Sequence, residues 1–143
     1  MGRFEDFHEY RRTMNRRILG SAGAEPGSPA SGAEPKPRAE GTLVTKRFFR
    51  LDGQTYEDAS LPASTKELLG LVASLVLRCD DCVAYHIDQC VRLGWTDEEL
   101  FEAFDVGLIV GGSIVIPHLR RGVAFLDECR EKIPASEITP RHS

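Results

Sequence analysis

The sequence predicts an all-α protein, and three observations carry that prediction. From Ser64 to Lys132 apolar residues recur at three- and four-residue spacing, and no alternating pattern suggests a strand. Helix-start signals stand at Ser64/Glu67 and Thr96/Glu99, each a Ser/Thr followed three residues later by Glu. Helix-stop signals stand at Gly94 and at Gly111-Gly112, each following one of those starts.

Taken in order, residues 1–19 read as a short amphipathic helix. Phe7, Tyr10, Met14 and Ile18 fall on one side, while Arg11, Arg12, Arg16 and Arg17 occupy much of the rest. Such a helix is expected to dock on its own core or on a neighbouring subunit; a basic interaction arm is the alternative. Residues 20–41, "GSAGAEPGSPASGAEPKPRAEG", hold nothing able to anchor a core and read as a flexible linker. Residues 42–133 form the predicted helical domain. Its opening, Leu43 to Leu51, fits a helical turn or a short extended piece, with a turn at Asp52-Gly53.

The first firm helix opens at Ser64, with Leu68, Val72 and Leu75 in one stripe. A second, capped by Asp80 or Asp81, carries Cys82, His86 and Cys90 and ends near Gly94. A third begins after Thr96. A fourth holds Pro117 in its first turn or at a kink. Residues 134–143, with Pro134 and Pro140, read as a frayed tail. "LLGLVASLVL" and "VGLIVGGSIVI" offer more apolar face than so small a bundle can bury alone, so an obligate homo-oligomer is expected.

Composition narrows the function. A chain of 143 residues with a formal net charge of −4 gives no reason to expect nucleic acid or an anionic membrane as partner. No apolar run is long enough to span a membrane, and the N-terminus has no secretory apolar core, so a cytoplasmic location is expected. There, four cysteines are better read as reactive, metal-binding or buried thiols than as a disulfide framework.

Three of the four lie in "LVLRCDDCVAYHIDQC", residues 75–90. Cys79, Cys82, His86 and Cys90 share one helical face, with His86 four residues after Cys82. Cys79 falls at the helix N-terminus, where free N–H groups and the helix dipole favour a thiolate. A base beside one thiol and a second thiol one turn away describe a dithiol redox centre. Asp80 and Asp81 oppose thiolate formation unless they point into solvent. Zinc is the competing reading, but one straight helix spreads four such ligands over roughly 16 Å. An ion would therefore need Cys79, Cys82, His86 and an outside ligand such as His118. Glu67 by itself reads only as the capping partner of Ser64. Cys90 and Cys129 read as buried small hydrophobes, His118 as a packing residue, and Trp95 as a packing residue at a helix junction.

The order Glu67, eleven residues, Cys79-Asp80-Asp81-Cys82, three residues, His86 resembles the core motif of the AhpD-like alkylhydroperoxidases, within the carboxymuconolactone decarboxylase superfamily. "GWTDEELFEAFDVGLIVGGS" resembles the helix pair that follows, and the resemblance spans roughly residues 43–130. It implies an AhpD-like helical bundle assembled as a trimer or hexamer. It also implies thiol-dependent reduction of a peroxide or a partner's disulfide, with no cofactor and no metal. Carried over, Cys79 and Cys82 are the redox pair, while Glu67 and His86 relay protons, Glu67 acting on His86 through water. Peroxide is the implied substrate, and dihydrolipoamide or a thioredoxin-like protein the implied reductant. Of the two thiols, the helix N-terminus favours Cys79 as the more exposed and His86 favours Cys82 as the activated one; the balance falls to Cys82. Some such proteins carry a histidine just before the second cysteine, where this chain has Asp81, so its relay must be shorter or different. The alternative function is a non-catalytic module, zinc-stabilised or redox-sensing. Lactone decarboxylation has no support beyond shared ancestry.

Overall fold

The computed structural model describes residues 2–20 and 38–141, and every regular element among them is helical. Residues 21–37, most of the expected linker, lie outside the described residues. Two compact units divide the chain, one formed by Glu5–Thr55 and the other by Gly2–Phe4 with Tyr56–Ser143.

The first unit holds most of α1 (Arg3–Leu19) and all of α2 (Leu43–Thr55). The approach to α2 is fastened to the end of α1. Gly41 N–H donates to the Ile18 carbonyl at 2.7 Å, and the Arg17 guanidinium donates to the Ala39 carbonyl at 2.7 Å. At the start of α2 the Thr42 hydroxyl accepts the Thr45 N–H. The helix runs through Asp52-Gly53, correcting the turn expected there. A single glycine in a helix costs about 1 kcal/mol without breaking it, and the chain turns only after Thr55. On the α1 stripe Phe7, Met14 and Ile18 are half-buried while Tyr10 is exposed.

The second unit is built from α3 (Ala63–Val76), α4 (Asp80–Arg92), α5 (Asp97–Gly111) and α6 (Ile116–Lys132). Helix α4 packs between α3 and α6, and α5 packs on α3. The core between them is closed by Leu71 and Leu75 of α3, Ile87 and Val91 of α4, Phe104 of α5, and Phe125 and Leu126 of α6. The start of α1 also belongs here, with the Phe4 ring stacked on Phe125 and the Phe4 N–H donating to the Glu128 carboxylate at 2.7 Å.

The helix ends follow from local chemistry. Helix α5 opens on the expected capping box, with Thr96 Oγ1 accepting from Glu99 N and Glu99 Oε2 accepting from Thr96 N. Helix α3 does not. Pro62 takes its N-cap, Ser64 falls inside the first turn with no side-chain cap bond, and Glu67 is released for another partner. Pro117 lies in the first turn of α6 and kinks nothing. The tail is pinned rather than frayed over the described residues. Thr139 N–H donates to the Arg92 carbonyl at 2.7 Å, Arg92 pairs with Glu137, and the Arg141 guanidinium sits over the Trp95 ring. Trp95 in turn donates to the Ser64 carbonyl at 3.0 Å, tying the α4–α5 junction to the start of α3.

Candidate functional site

The connection from α3 to α4 is only three residues long, and it sets the cysteines. Arg78 N–H donates to the Leu75 carbonyl at 3.0 Å and Cys79 N–H to the Ser74 carbonyl at 3.1 Å. This is the Schellman pattern that closes a helix C-terminus through a left-handed residue. Arg78 takes that conformation at φ 61°, where a glycine would be more comfortable. Cys79 then serves two helices. Its amide closes α3, and its sulfur, at the N-cap of α4, accepts the Cys82 N–H at 3.3 Å. The N-cap is therefore Cys79 itself and not Asp80 or Asp81, which occupy the first turn of α4.

The same turn brings Cys79 and Cys82 within disulfide-bonding distance, with Cα atoms 5.3 Å apart, inside the range a disulfide requires. Cys82 is exposed and Cys79 half-buried, so the more accessible cysteine is the second and not, as expected, the first.

One turn deeper, the exposed face of α4 becomes a buried one. His86 and Glu67 are both nearly closed to solvent, and His86 Nδ1 shares a hydrogen bond with Glu67 Oε2 at 2.6 Å. The contact is direct, with no room for the water expected between them. Two aromatic rings border the imidazole, Tyr56 at 5.3 Å and Tyr85 at 5.2 Å between centroids. Its face lies against Gly70 of α3, where an added Cβ would fall 2.6 Å from Cε1 and 2.8 Å from Nε2. No residue larger than glycine fits there without moving the ring.

Farther along α4, Cys90 is fully buried, and Cys129 likewise on α6. Burial first, then the negative charge of Glu67, holds the Cys90 thiol far above its ordinary value. Burial, with Asp88 second, pushes the Cys129 thiol up to about 12. Both are neutral, inert thiols at physiological pH. At the other end of α4, Asp80 does not point freely into solvent. Its Oδ1 meets His118 Nδ1 at 2.7 Å and its Oδ2 accepts from Arg121 at 3.3 Å, both on α6. Asp81 is exposed.

No group of three or more His, Cys, Asp or Glu side chains among the described residues is placed to hold a metal ion. His118, the outside ligand a zinc site would need, is engaged with Asp80, and His86 with Glu67.

The structure thus brings Glu67 to His86 and Cys79 to Cys82, with the second pair one turn along α4 from the first. Among the described residues no hydrogen bond links His86 to either sulfur. Gly70 and the two tyrosines escaped the sequence reading. Gly70 had one signal, its position three residues after Glu67 on the same face of α3.

A profile of the carboxymuconolactone decarboxylase family matches residues 43–124. The chain belongs to the carboxymuconolactone decarboxylase family. Two crystal structures of a family protein from Thermotoga maritima, a candidate for involvement in antioxidative response, are similar to it. In the first, sequence identity is 49% and the TM-score 0.74, over 92% of this chain and 96% of that one. In the second, identity is 51% and the TM-score 0.73, over 89% and 95% of the two chains. An uncharacterized protein of Cupriavidus necator is 34% identical over 71 residues, half of this chain and 63% of its own length. The chain therefore spans just under two thirds of that relative. Uncharacterized protein 4 in the cox locus of Paracoccus denitrificans is 27% identical over 69% of this chain and 89% of its own. The family membership read from Glu67, Cys79, Cys82 and His86 holds, and so does the all-helical fold. The described helices contain no span long and apolar enough to cross a membrane.

Proposed function

We propose that this carboxymuconolactone decarboxylase family protein is a thiol-dependent antioxidant enzyme of the AhpD-like kind, reducing a peroxide or a partner's disulfide through Cys79 and Cys82. One observation carries the reading: two cysteines within bonding distance at a helix N-terminus, one of them exposed, with a buried carboxylate–imidazole pair one turn away on the same helix. The similarity to the Thermotoga protein, itself a candidate for involvement in antioxidative response, supports it.

The chemistry follows from the placement. Cys82 is the accessible nucleophile, four residues from His86. With Nδ1–H donating to Glu67, the imidazole keeps a basic Nε2, and the relay can take the Cys82 proton directly or through a water. The thiolate attacks one peroxide oxygen, the O–O bond breaks, and the other oxygen leaves as alcohol or water with the relayed proton. Cys82 is now a sulfenic acid. The Cys79 sulfur, favoured as a thiolate at the helix N-terminus, attacks the Cys82 sulfur and expels hydroxide as water. The S–S bond that forms carries the two electrons' worth of oxidation taken from the peroxide. A dithiol such as dihydrolipoamide, or a thioredoxin-like protein, then reduces the disulfide by exchange and is itself oxidised. The direct Glu67–His86 contact supplies the short relay that Asp81, in place of a histidine, requires.

The reading includes a homo-oligomer, trimer or hexamer. Leu77, Val106, Ile109, Val110 and Ile114 stand exposed on the helical unit, an apolar surface suited to further copies of the chain. Turnover of an alkyl hydroperoxide with dihydrolipoamide tests the enzyme. Cys79→Ser and Cys82→Ser should each abolish it, and Glu67→Gln or His86→Ala should slow it by roughly a hundredfold. Activity surviving in either serine variant would sink the proposal.

A further inference from the structure

Asp80 poses a problem for the redox pair. Its carboxylate belongs to the residue after Cys79, and a negative charge there opposes the thiolate that the helix N-terminus favours. The structure answers by engaging both carboxylate oxygens on another helix. Oδ1 lies 2.7 Å from His118 Nδ1, and Oδ2 accepts from Arg121 Nη1 at 3.3 Å. The His118 and Asp80 side chains are 21% and 34% exposed, shielded enough for the pair to matter, whereas Arg121 is 53% exposed and contributes less. Helix α6 is also held at this point by Arg3, which donates to the Arg121 carbonyl at 2.9 Å.

We propose that His118 and Arg121 are positioning residues for the dithiol: by engaging both oxygens of Asp80 they draw its charge toward α6 and keep Cys79 reactive near neutral pH. They act through Asp80 and touch neither sulfur. The other charged groups around this end of α4 do not provide the same service. Arg78 precedes Cys79 and Asp81 lies two residues after it, both exposed, Arg120 of α6 is exposed, and the Glu67–His86 pair is engaged with itself. The inference rests on the dithiol reading, since only a reactive Cys79 needs the protection.

The test measures the rate of iodoacetamide alkylation of reduced full-length protein across pH 5–10. It uses a Cys82→Ser chain, so that Cys79 reports alone while Cys90 and Cys129 stay buried. Adding His118→Ala with Arg121→Met should move the alkylation midpoint up by about half a pH unit, slowing the reaction near pH 7 roughly threefold. Adding Asp80→Asn instead should move it down by a similar amount. In the Asp80→Asn background the α6 substitutions should then have no further effect, and His118→Gln, which can still donate to Asp80, should restore part of the loss. If the α6 pair only holds the helices together, the midpoints stay fixed while thermal stability falls, and the proposal is overturned. Should the double variant fail to fold, His118→Ala and Arg121→Met are made singly, and midpoints that neither change moves overturn the proposal equally. No peroxide is used, so this result stands apart from whether the cysteines turn over.

Discussion

Gly70 governs where His86 can sit. Nothing but the missing side chain of Gly70 lets the imidazole lie flat against α3 with Nδ1 on Glu67. Gly70→Ala would gain helix propensity and lose this contact, and the contact wins. A Cβ 2.6 Å from Cε1 must displace the ring, and overpacking of this kind costs on the order of 1–3 kcal/mol. The proposed relay should suffer more than the fold, with peroxide turnover falling roughly ten- to a hundredfold while circular dichroism still reports a helical protein. Turnover at the parent rate would show that the ring position is not critical. At this scale the sequence was half legible. Cys79, Cys82 and His86 were identifiable by their spacing, whereas Glu67 entered only through the family resemblance, and the reason it faces His86 was not legible. Ser64/Glu67 and Thr96/Glu99 are the same pattern in sequence, and only the second is a capping box. Pro62 starts α3 two residues early, which places Ser64 inside the first turn and leaves the Glu67 carboxylate to the buried face. Such a two-residue shift of a helix start lies below what spacing can resolve.

The decisive element is the turn between α3 and α4. Most Schellman turns place glycine in the left-handed position, as α4 itself does at Gly94 with φ 86°. Here Arg78 occupies it at φ 61°, at a cost of roughly 1 kcal/mol relative to glycine. Arg78→Gly should therefore raise unfolding stability by up to about 1 kcal/mol, read as a higher denaturant midpoint with an unchanged slope. The Cys79–Cys82 spacing should survive, because the backbone conformation is retained. A lower midpoint would mean that the arginine side chain contributes something its exposed position does not reveal. The sequence located the end of α4 by its glycine, but at Arg78 it carried no turn residue to mark the bend. The same blindness, reversed, produced the false turn at Asp52-Gly53, where a turn-like pair continues a helix.

For the molecule as a whole, the apolar helices predicted from sequence are only partly buried. Ile109 is 85%, Leu77 76% and Val110 69% exposed. A surface of this kind is expected to be covered by further copies of the chain. Light scattering should report a trimer or hexamer, and Ile109→Glu with Val110→Glu should shift it toward monomer. A monomeric parent protein would leave those side chains without the proposed role. The family was legible as a resemblance carried by the order of Glu67, Cys79, Cys82 and His86, because that pattern survives any error in helix boundaries. The ionic clamp of Asp80 on α6 was not, since nothing local pairs residues 80 and 118. The most direct test of the central claim is a thiol titration of reduced, metal-free protein before and after one equivalent of peroxide, with mass spectrometry to map any disulfide. The dithiol account predicts that two of the four thiols disappear, that Cys79 is bonded to Cys82, and that the buried Cys90 and Cys129 stay free. Four thiols still free, or a disulfide joining any other pair, would contradict it.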